Sequence, residues 1–412
     1  MVWIVNHYAE APDGVGPVRH FQFARRLRAH GWETFIIASS QGHWSGRDRL
    51  RPGEDQRLEV KHGASFLWIR TPPYAGNGVS RIRNMLGFAY RILDSKATAS
   101  LPTPDVVIGS TVHPFAVWSA TRIAKRHGAA FVFEIRDLWP QTLIELGRIS
   151  RHSVQARLLA WLERWLCRRA NRVVTLLPGV SDYLAAMGVD STAIAYVPNG
   201  VNMNEVPTSE PPDDESFTLM YLGAHGNANA LETLLRALVL LADERDLPRI
   251  NCRLIGDGPL KPSLQAMARD LHLSNVSFEQ AVSRAEVTEI GVAADAFVLC
   301  TRDLPNLYRY GISMNKLYDY MAMARPTVLA MDAYNNPISD SDGGVTVRPD
   351  DPRALAGAIS DIARLSSAQR REMGLRARSF VADNYDFETL SVRLAAVLDE
   401  AVLVNDVASS AS

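Results

Sequence analysis

Between Tyr310 and Ala322 the chain reads Tyr-Gly-Ile-Ser-Met-Asn-Lys-Leu-Tyr-Asp-Tyr-Met-Ala, an order of residues suited to holding an anion. Gly311 and Ser313 stand just before a helix expected to begin near Met314 or Asn315. The unpaired N–H groups at a helix start carry partial positive charge and suit a diphosphate. Lys316 falls in the first turn, where the macrodipole does not favour a cation; that is odd for a structural residue and sensible beside a phosphate. Asp319 lies about one turn further on, so it shares a face with Lys316 and can accept hydrogen bonds from ribose hydroxyls. An ordinary surface helix with a Lys–Asp pair would read the same way, and spacing alone does not separate the two.

Other chemistry-bearing residues sit where strands run into loops. Leu254-Ile-Gly-Asp-Gly-Pro259 places Gly256 and Gly258 where a ligand can approach the backbone closely. The six-position glycine fingerprint of a dinucleotide site is absent, which argues against a nicotinamide enzyme, and a plain βα turn is the first reading of this stretch taken alone. Tyr221-Leu-Gly-Ala-His-Gly-Asn227 offers Gly223 and Gly226, with His225 and Asn227, to a phosphate or sugar, or only turns the chain. In the first half, Asn6 and His7 end a strand, and Gly14-Val-Gly16 with Arg19-His20 open the next helix. Gly109-Ser-Thr-Val-His113 and Glu134-Ile-Arg-Asp-Leu-Trp-Pro140 end two more strands. Ligands bind at the carboxyl ends of parallel strands, so His7, His113, Glu134, Arg136 and Asp137 are expected on one rim. A lone histidine at a strand end is more often structural.

The elements that must position these residues alternate strand and helix. Strands are expected over 2–5, 33–38, 66–70, 105–109 and 130–135, with helices over 17–30, 80–93 and 115–127 between them. The same alternation returns with strands over 217–222, 250–255, 276–278, 296–300 and 327–330 and helices over 230–244, 260–271 and 316–323. Such spacing implies right-handed crossovers and parallel sheets. A linker is expected over 206–216, where Pro, Asp, Glu and Ser cluster. It separates a first domain over 1–205 from a second over 217–385, followed by an amphipathic helix over 386–404 and a frayed polar tail.

Composition agrees with two cores, since 412 residues exceed what one usually organises and 47% are hydrophobic. The 44 basic and 45 acidic residues nearly cancel, so net charge gives no support to nucleic-acid binding. Cys167, Cys252 and Cys300 have neither metal-ligand nor disulfide spacing, and a reducing compartment suits them. No secretory signal and no run of about 18 apolar residues is found, so a cytoplasmic protein is expected. Arg81–Leu93 and Arg157–Arg172 mix cations with large apolar groups; such helices rest on anionic lipid or bury one face in a core.

Taken together the motifs resemble a family-4 glycosyltransferase of the GT-B fold, over nearly the whole chain. The most specific blocks are the Gly223 loop, Leu231-Glu-Thr-Leu234, Gly256-Asp-Gly-Pro259, and Gly311 to Pro326 followed by Thr327-Val-Leu. Arg136-Asp-Leu-Trp-Pro140 and Ser313-Met-Asn-Lys-Leu317 are similar to bacterial transferases of O-antigen or capsule assembly, many of which use UDP-linked N-acetylamino or deoxyamino sugars. The resemblance implies an α/β molecule of two doubly wound Rossmann-like domains whose parallel sheets face across a cleft. The first domain would hold a glycan or polyprenyl-diphosphate-linked acceptor against a loop bearing Gly14, Gly16, Arg19 and His20, and the final helix would pack back on it. The second would hold a UDP-sugar through Gly223, His225, Gly226, Asn227, Gly256, Gly258, Ser313, Asn315, Lys316 and Asp319, with Val282 meeting the base.

The sequence departs from the family at the sugar-nucleotide site. The family's paired acids fall on Gly311 and Asp319, so the first is missing and the second is shortened. Its usual cations after the strand-Gly align with Ala224 and Asn229, leaving Lys316 as the substitute and Arg302 or Arg309 as helpers. The family's catalytic His aligns near Arg136 or Asp137. The resemblance implies retention of anomeric configuration. The helix start with Lys316, in a chain with no Asp-x-Asp at a strand end, leads to the expectation of metal-independent transfer with no cofactor. Asp137 is the first candidate to steer the acceptor hydroxyl and His113 the second, with Arg136, Glu134 and Lys316 completing the catalytic set. A nucleotide-sugar epimerase and a silent sugar-nucleotide-binding protein are the alternatives.

Overall fold

The computed structural model describes every residue except Val15, Pro17, Trp44, Ser45, Ala75, Asn77, Val112, 208–215, Asp243 and 411–412, and for Ala285 it describes the backbone alone. Most of the expected linker, and the middle of the Gly14–Gly16 loop, therefore lie outside the described residues. The chain forms two compact units, Met1–Asn199 with Phe387–Ser412, and Gly200–Asp386.

The first unit is built on strands β1 (Val2–Val5), β2 (Thr34–Ser39), β3 (Gln56–Lys61), β4 (Ala64–Ile69), β5 (Val106–Ser110), β6 (Ala130–Ile135), β7 (Arg172–Thr175) and β8 (Ile194–Tyr196). They lie in the order β3-β4-β2-β1-β5-β6-β7-β8, parallel except for β3, which pairs antiparallel with β4. β1 is buried along its whole length, as a strand covered on both faces must be, and its residues are correspondingly all apolar. Val2 and Ile4 pack against Phe23, Leu27 and the last helix, Phe387–Ser410. That helix sets Leu390, Leu394 and Leu398 on one face at four-residue spacing, each burial contributing roughly 2 kcal/mol. It continues as regular helix through Asn405 to Ser410, where the sequence reading expected a frayed tail.

The second unit holds β9 (Ser216–Leu222), β10 (Arg249–Ile255), β11 (Val276–Glu279), β12 (Ala296–Cys300), β13 (Thr327–Ala330) and β14 (Gly344–Val347). Their order is β11-β10-β9-β12-β13-β14, all parallel. β9 shows why both faces are covered: Phe217, Leu219 and Tyr221 join one apolar cluster, Met220 and Leu222 the other. The chain order reverses between β1 and β5 in the first unit and between β9 and β12 in the second. Open α/β sheets bind ligands at the carboxyl ends of the strands beside such a reversal.

Strands β3, β7, β8 and β14 were not expected. β3 is an edge strand of alternating half-exposed polar residues, so it lacks the apolar run that announces a buried strand. The basic stretch Arg157–Arg172 divides into the end of helix Val154–Cys167 and the start of β7.

Candidate functional site

At the β9/β12 reversal the helix Asn315–Ala322 begins, with Met314 as N-cap and no side chain capping it. From its first turn Lys316 reaches the end of β9, where its ammonium donates to the Tyr221 hydroxyl (2.9 Å) and to Asn229 Oδ1 (2.7 Å). Tyr221 in turn donates to the Ala224 carbonyl (2.7 Å), and Asn229 Nδ2 donates to the same oxygen (2.8 Å). An ammonium has three donors, so one remains for a ligand. Burial lowers the Lys316 pKa to about 8, because the neutral partners do not repay the loss of water. Gly223 makes room for this cation: a Cβ there would lie 3.1 Å from Lys316 Nζ and 3.2 Å from the Tyr221 hydroxyl. The ammonium therefore stands beside Asn229, the position at which the family resemblance expects a lysine.

The other glycines have a different reason. A Cβ on Gly256 would lie 1.9 Å from the Gly223 carbonyl oxygen, and one on Gly258 2.5 Å from that of His225. The β9 and β10 loops run side by side, joined by Gly223 N–H to Ile255 O (2.9 Å) and His225 N–H to Asp257 O (2.8 Å). What approaches Gly256 and Gly258 closely is thus the neighbouring loop. Gly226 is open by comparison, with only Asn229 Nδ2 at 3.8 Å. Lys261, which the sequence reading missed, braces the pair by donating to the carbonyls of Gly256 (2.8 Å) and Glu279 (2.6 Å). His225 is fully buried, and neither ring nitrogen has a hydrogen-bond partner among the described residues. Desolvation lowers its pKa to about 4, so the ring is neutral near pH 7.

Asp319 is also not free. It is 4% exposed, and both carboxylate oxygens accept from Arg284, the first residue of helix Arg284–Gly291. Nothing local in the sequence signals this pair, which spans 35 positions. Arg302, at the end of β12, is held by Glu232 and donates to the Asn227 carbonyl (3.2 Å), so its charge is already partly balanced. Arg309 folds onto Tyr310. Ser313 and Asn315 are half-buried on either side of Met314, and Val282 is half-buried in the loop after β11.

In the first unit the ends of β1, β5 and β6 are neighbours, and two clusters occupy them. His7 Nδ1 and His113 Nε2 are 2.7 Å apart. His113 Nδ1 accepts from Ala116 N–H (3.3 Å), capping helix Pro114–His127. Its proton therefore sits on Nε2 and is donated to His7. Burial holds both rings neutral, His113 at about 3. Glu134 lies inside β6 at 2% exposure, accepting from Arg19 Nε (2.9 Å), bonded to His20 Nε2 (2.8 Å) and accepting from Ser110 Oγ (2.7 Å). Arg19 also donates to the Val197 carbonyl (2.8 Å). Glu134, Arg19 and His20 are thus turned inward upon one another, because a buried carboxylate needs paired donors. Its pKa stays well below the usual value despite the desolvation that opposes this, held there by Arg19 and His20.

Of the expected rim, Arg136 is half-exposed and Asp137 exposed. Their loop is pinned at one end by Arg136 N–H to Thr111 Oγ1 (2.9 Å). At the other, Trp139 N–H donates to Glu163 Oε1 (3.0 Å), and Tyr183 donates to Glu163 Oε2 (2.6 Å). Glu163 was missed; its signal was an acid on the apolar face of a helix, between Leu162 and Leu166. Burial raises its pKa to about 7.

Two family models match the chain, a glycosyl transferase 4-like domain over residues 16–200 and glycosyl transferases group 1 over residues 216–364. The chain is similar to a probable glycosyltransferase WbjE of Pseudomonas aeruginosa, 24% identical over 303 residues that span 70% of this chain and 73% of that one. A GDP-mannose-dependent alpha-(1-6)-phosphatidylinositol monomannoside mannosyltransferase of Mycolicibacterium smegmatis is 25% identical over 342 residues, 75% of this chain and 84% of that protein. Among solved structures, Anabaena Alr3699/HepE in complex with UDP and glucose has a TM-score of 0.66 at 14% identity, over 97% of this chain and 99% of that one. At that identity the likeness is one of fold.

Proposed function

The chain belongs to the family-4 glycosyltransferases of the GT-B fold, and on that premise we propose a retaining, metal-independent transfer of a sugar from a UDP-linked donor. The donor sugar is an N-acetylamino or deoxyamino sugar. The acceptor is a hydroxyl of a glycan or polyprenyl-diphosphate-linked saccharide in cell-surface polysaccharide synthesis. The observation that carries this reading is the Lys316 ammonium beside Gly223, at the β9/β12 reversal, with a donor to spare. UDP is favoured over GDP by the UDP-bound structural relative, although one sequence relative is GDP-mannose-dependent.

As the anomeric C–O bond breaks, its electron pair moves onto the diphosphate. An ammonium and helix N–H groups already in place stabilise that charge without reorganising. The acceptor oxygen bonds to the anomeric carbon from the face the diphosphate leaves, and its proton passes to the departing phosphate oxygen. Asp137, exposed on its rim, steers that hydroxyl with Arg136 beside it. The buried Glu134–Arg19–His20 cluster and the His7–His113 pair act as positioning residues for the strand ends. Both family models are those of transferases, and the epimerase alternative gains nothing from them.

The enzyme works in the cytoplasm, against anionic membrane. No helix among the described residues is long and apolar enough to cross a bilayer. Helices Val79–Leu93 and Val154–Cys167, both packed on Pro114–His127, leave Val79, Ile82, Leu86, Tyr90, Leu158 and Trp161 exposed beside arginines. That pattern suits an anionic lipid surface.

The test is a transfer assay with membrane extracts as acceptor and a panel of UDP- and GDP-linked sugars. Release of nucleotide that requires the acceptor, with sugar appearing in the lipid fraction, is expected for a UDP-amino sugar. Release with donor alone, or no release with any donor, contradicts the reading.

A further inference from the structure

The Asp319–Arg284 pair changes what this site can say to a nucleotide. Asp319 is 4% exposed and both its oxygens are occupied by the guanidinium. Arg284, by contrast, keeps 35% of its side chain exposed. The pair uses the two terminal nitrogens end-on, which leaves Nε–H and the outer N–H hydrogens of a planar fork for a ligand.

Helix stability does not explain an arginine here. Arg284 is the first residue of its helix, behind a capping box formed by Ser283 and Glu286, and a cation in that turn opposes the macrodipole. Asp319 compensates it, with Glu205 the other acid acting on it electrostatically. Both acceptor oxygens of Asp319 are taken by the two terminal nitrogens, so any further contact at this pair falls to the guanidinium, which is only half-buried.

The spacing along one helix supplies the rest. Asp319 follows Lys316 by about one turn, roughly 5–6 Å between side-chain origins. A nucleoside diphosphate whose phosphates meet Lys316 has its ribose about that far along. Arg284 is tied through Asp319 to the helix that carries Lys316.

Resting on the donor reading of Lys316, we infer that Arg284 is the residue that meets the donor's ribose, with Asp319 as its positioning residue. The ribose hydroxyl oxygens are then read by N–H donors instead of by a carboxylate acceptor.

Isothermal titration of UDP, 2′-deoxy-UDP and 3′-deoxy-UDP into the full chain tests this. The variants are Arg284→Ala, Asp319→Asn, and the neutral pair Arg284→Gln with Asp319→Asn, with circular dichroism as the check on folding. The wild type is expected to prefer UDP over at least one deoxy analogue by about tenfold, the worth of a charge-assisted hydrogen bond. Arg284→Ala and the neutral pair should erase that preference while binding the deoxy analogue as the wild type does. Asp319→Asn alone should weaken the preference without abolishing it. A wild-type preference retained in Arg284→Ala, and lost only when Asp319 is also changed, assigns the ribose to Asp319 and overturns the inference alone. A folded wild type that binds no nucleoside diphosphate overturns the donor reading and the inference with it.

Discussion

At the scale of single residues, the Lys316 ammonium has exchanged water for two neutral oxygens, and its pKa falls to about 8 from 10.5. The folded chain then releases this proton before the unfolded chain does. Fold stability therefore gains from this group as pH rises from about 8 towards 10.5, whereas affinity for a diphosphate falls as the cation is lost. Titrating UDP-glucose at pH 7 and at about pH 9 should show roughly a tenfold weaker complex at the higher pH, one pH unit beyond the pKa. Lys316→Ala should cut turnover by about 10²–10³, the range for removing one donor to developing charge, with little change in melting temperature. Gly256→Ala is the opposite case. Its Cβ would meet the Gly223 carbonyl at 1.9 Å, so urea unfolding should show a loss of about 1–3 kcal/mol.

The helix start at Asn315 and the cation in its first turn were legible because both are local patterns. The Asp319–Arg284 pair was not, since its partners are 35 residues apart and only folding brings them together. Gly256 and Gly258 were noticed for a ligand's approach, yet what they admit is the adjoining strand end.

At the scale of elements, helix Val154–Cys167 fixes the Arg136–Asp137 loop through Glu163. Burial raises the Glu163 pKa from 4.5 to about 7. Between those values the folded chain holds a proton that the unfolded chain has lost, so stability declines as pH rises through that window. Glu163→Gln should flatten this slope in denaturation curves taken at pH 5 and pH 7; an unchanged slope would remove Glu163 from it. Leu394→Ala in the last helix should cost about 2–5 kcal/mol, as for other buried leucines. Elements with continuous apolar runs or helical periodicity, such as β1, β12 and the last helix, could be read from sequence. β3 and β7 could not, because an edge strand and a strand opening on arginine both look like solvated surface.

At the scale of the whole molecule, two doubly wound units each carry a chain reversal with polar residues at its strand ends. In the second unit those residues suit a phosphorylated donor; in the first, Asp137 is exposed. Co-sedimentation with vesicles of phosphatidylglycerol should retain the wild type at low salt and release it at high salt. Leu158→Glu with Ile82→Glu should abolish retention, and equal retention on neutral phosphatidylcholine would contradict an anionic surface.

The donor site itself is tested most directly by titrating UDP and uridine into the wild type and into Lys316→Met. On the proposed role of the ammonium at the diphosphate, UDP should bind Lys316→Met at least tenfold more weakly while uridine, which carries no phosphate, binds both proteins alike. Equal affinity of UDP for the two proteins, or an equal loss for uridine, would contradict that role.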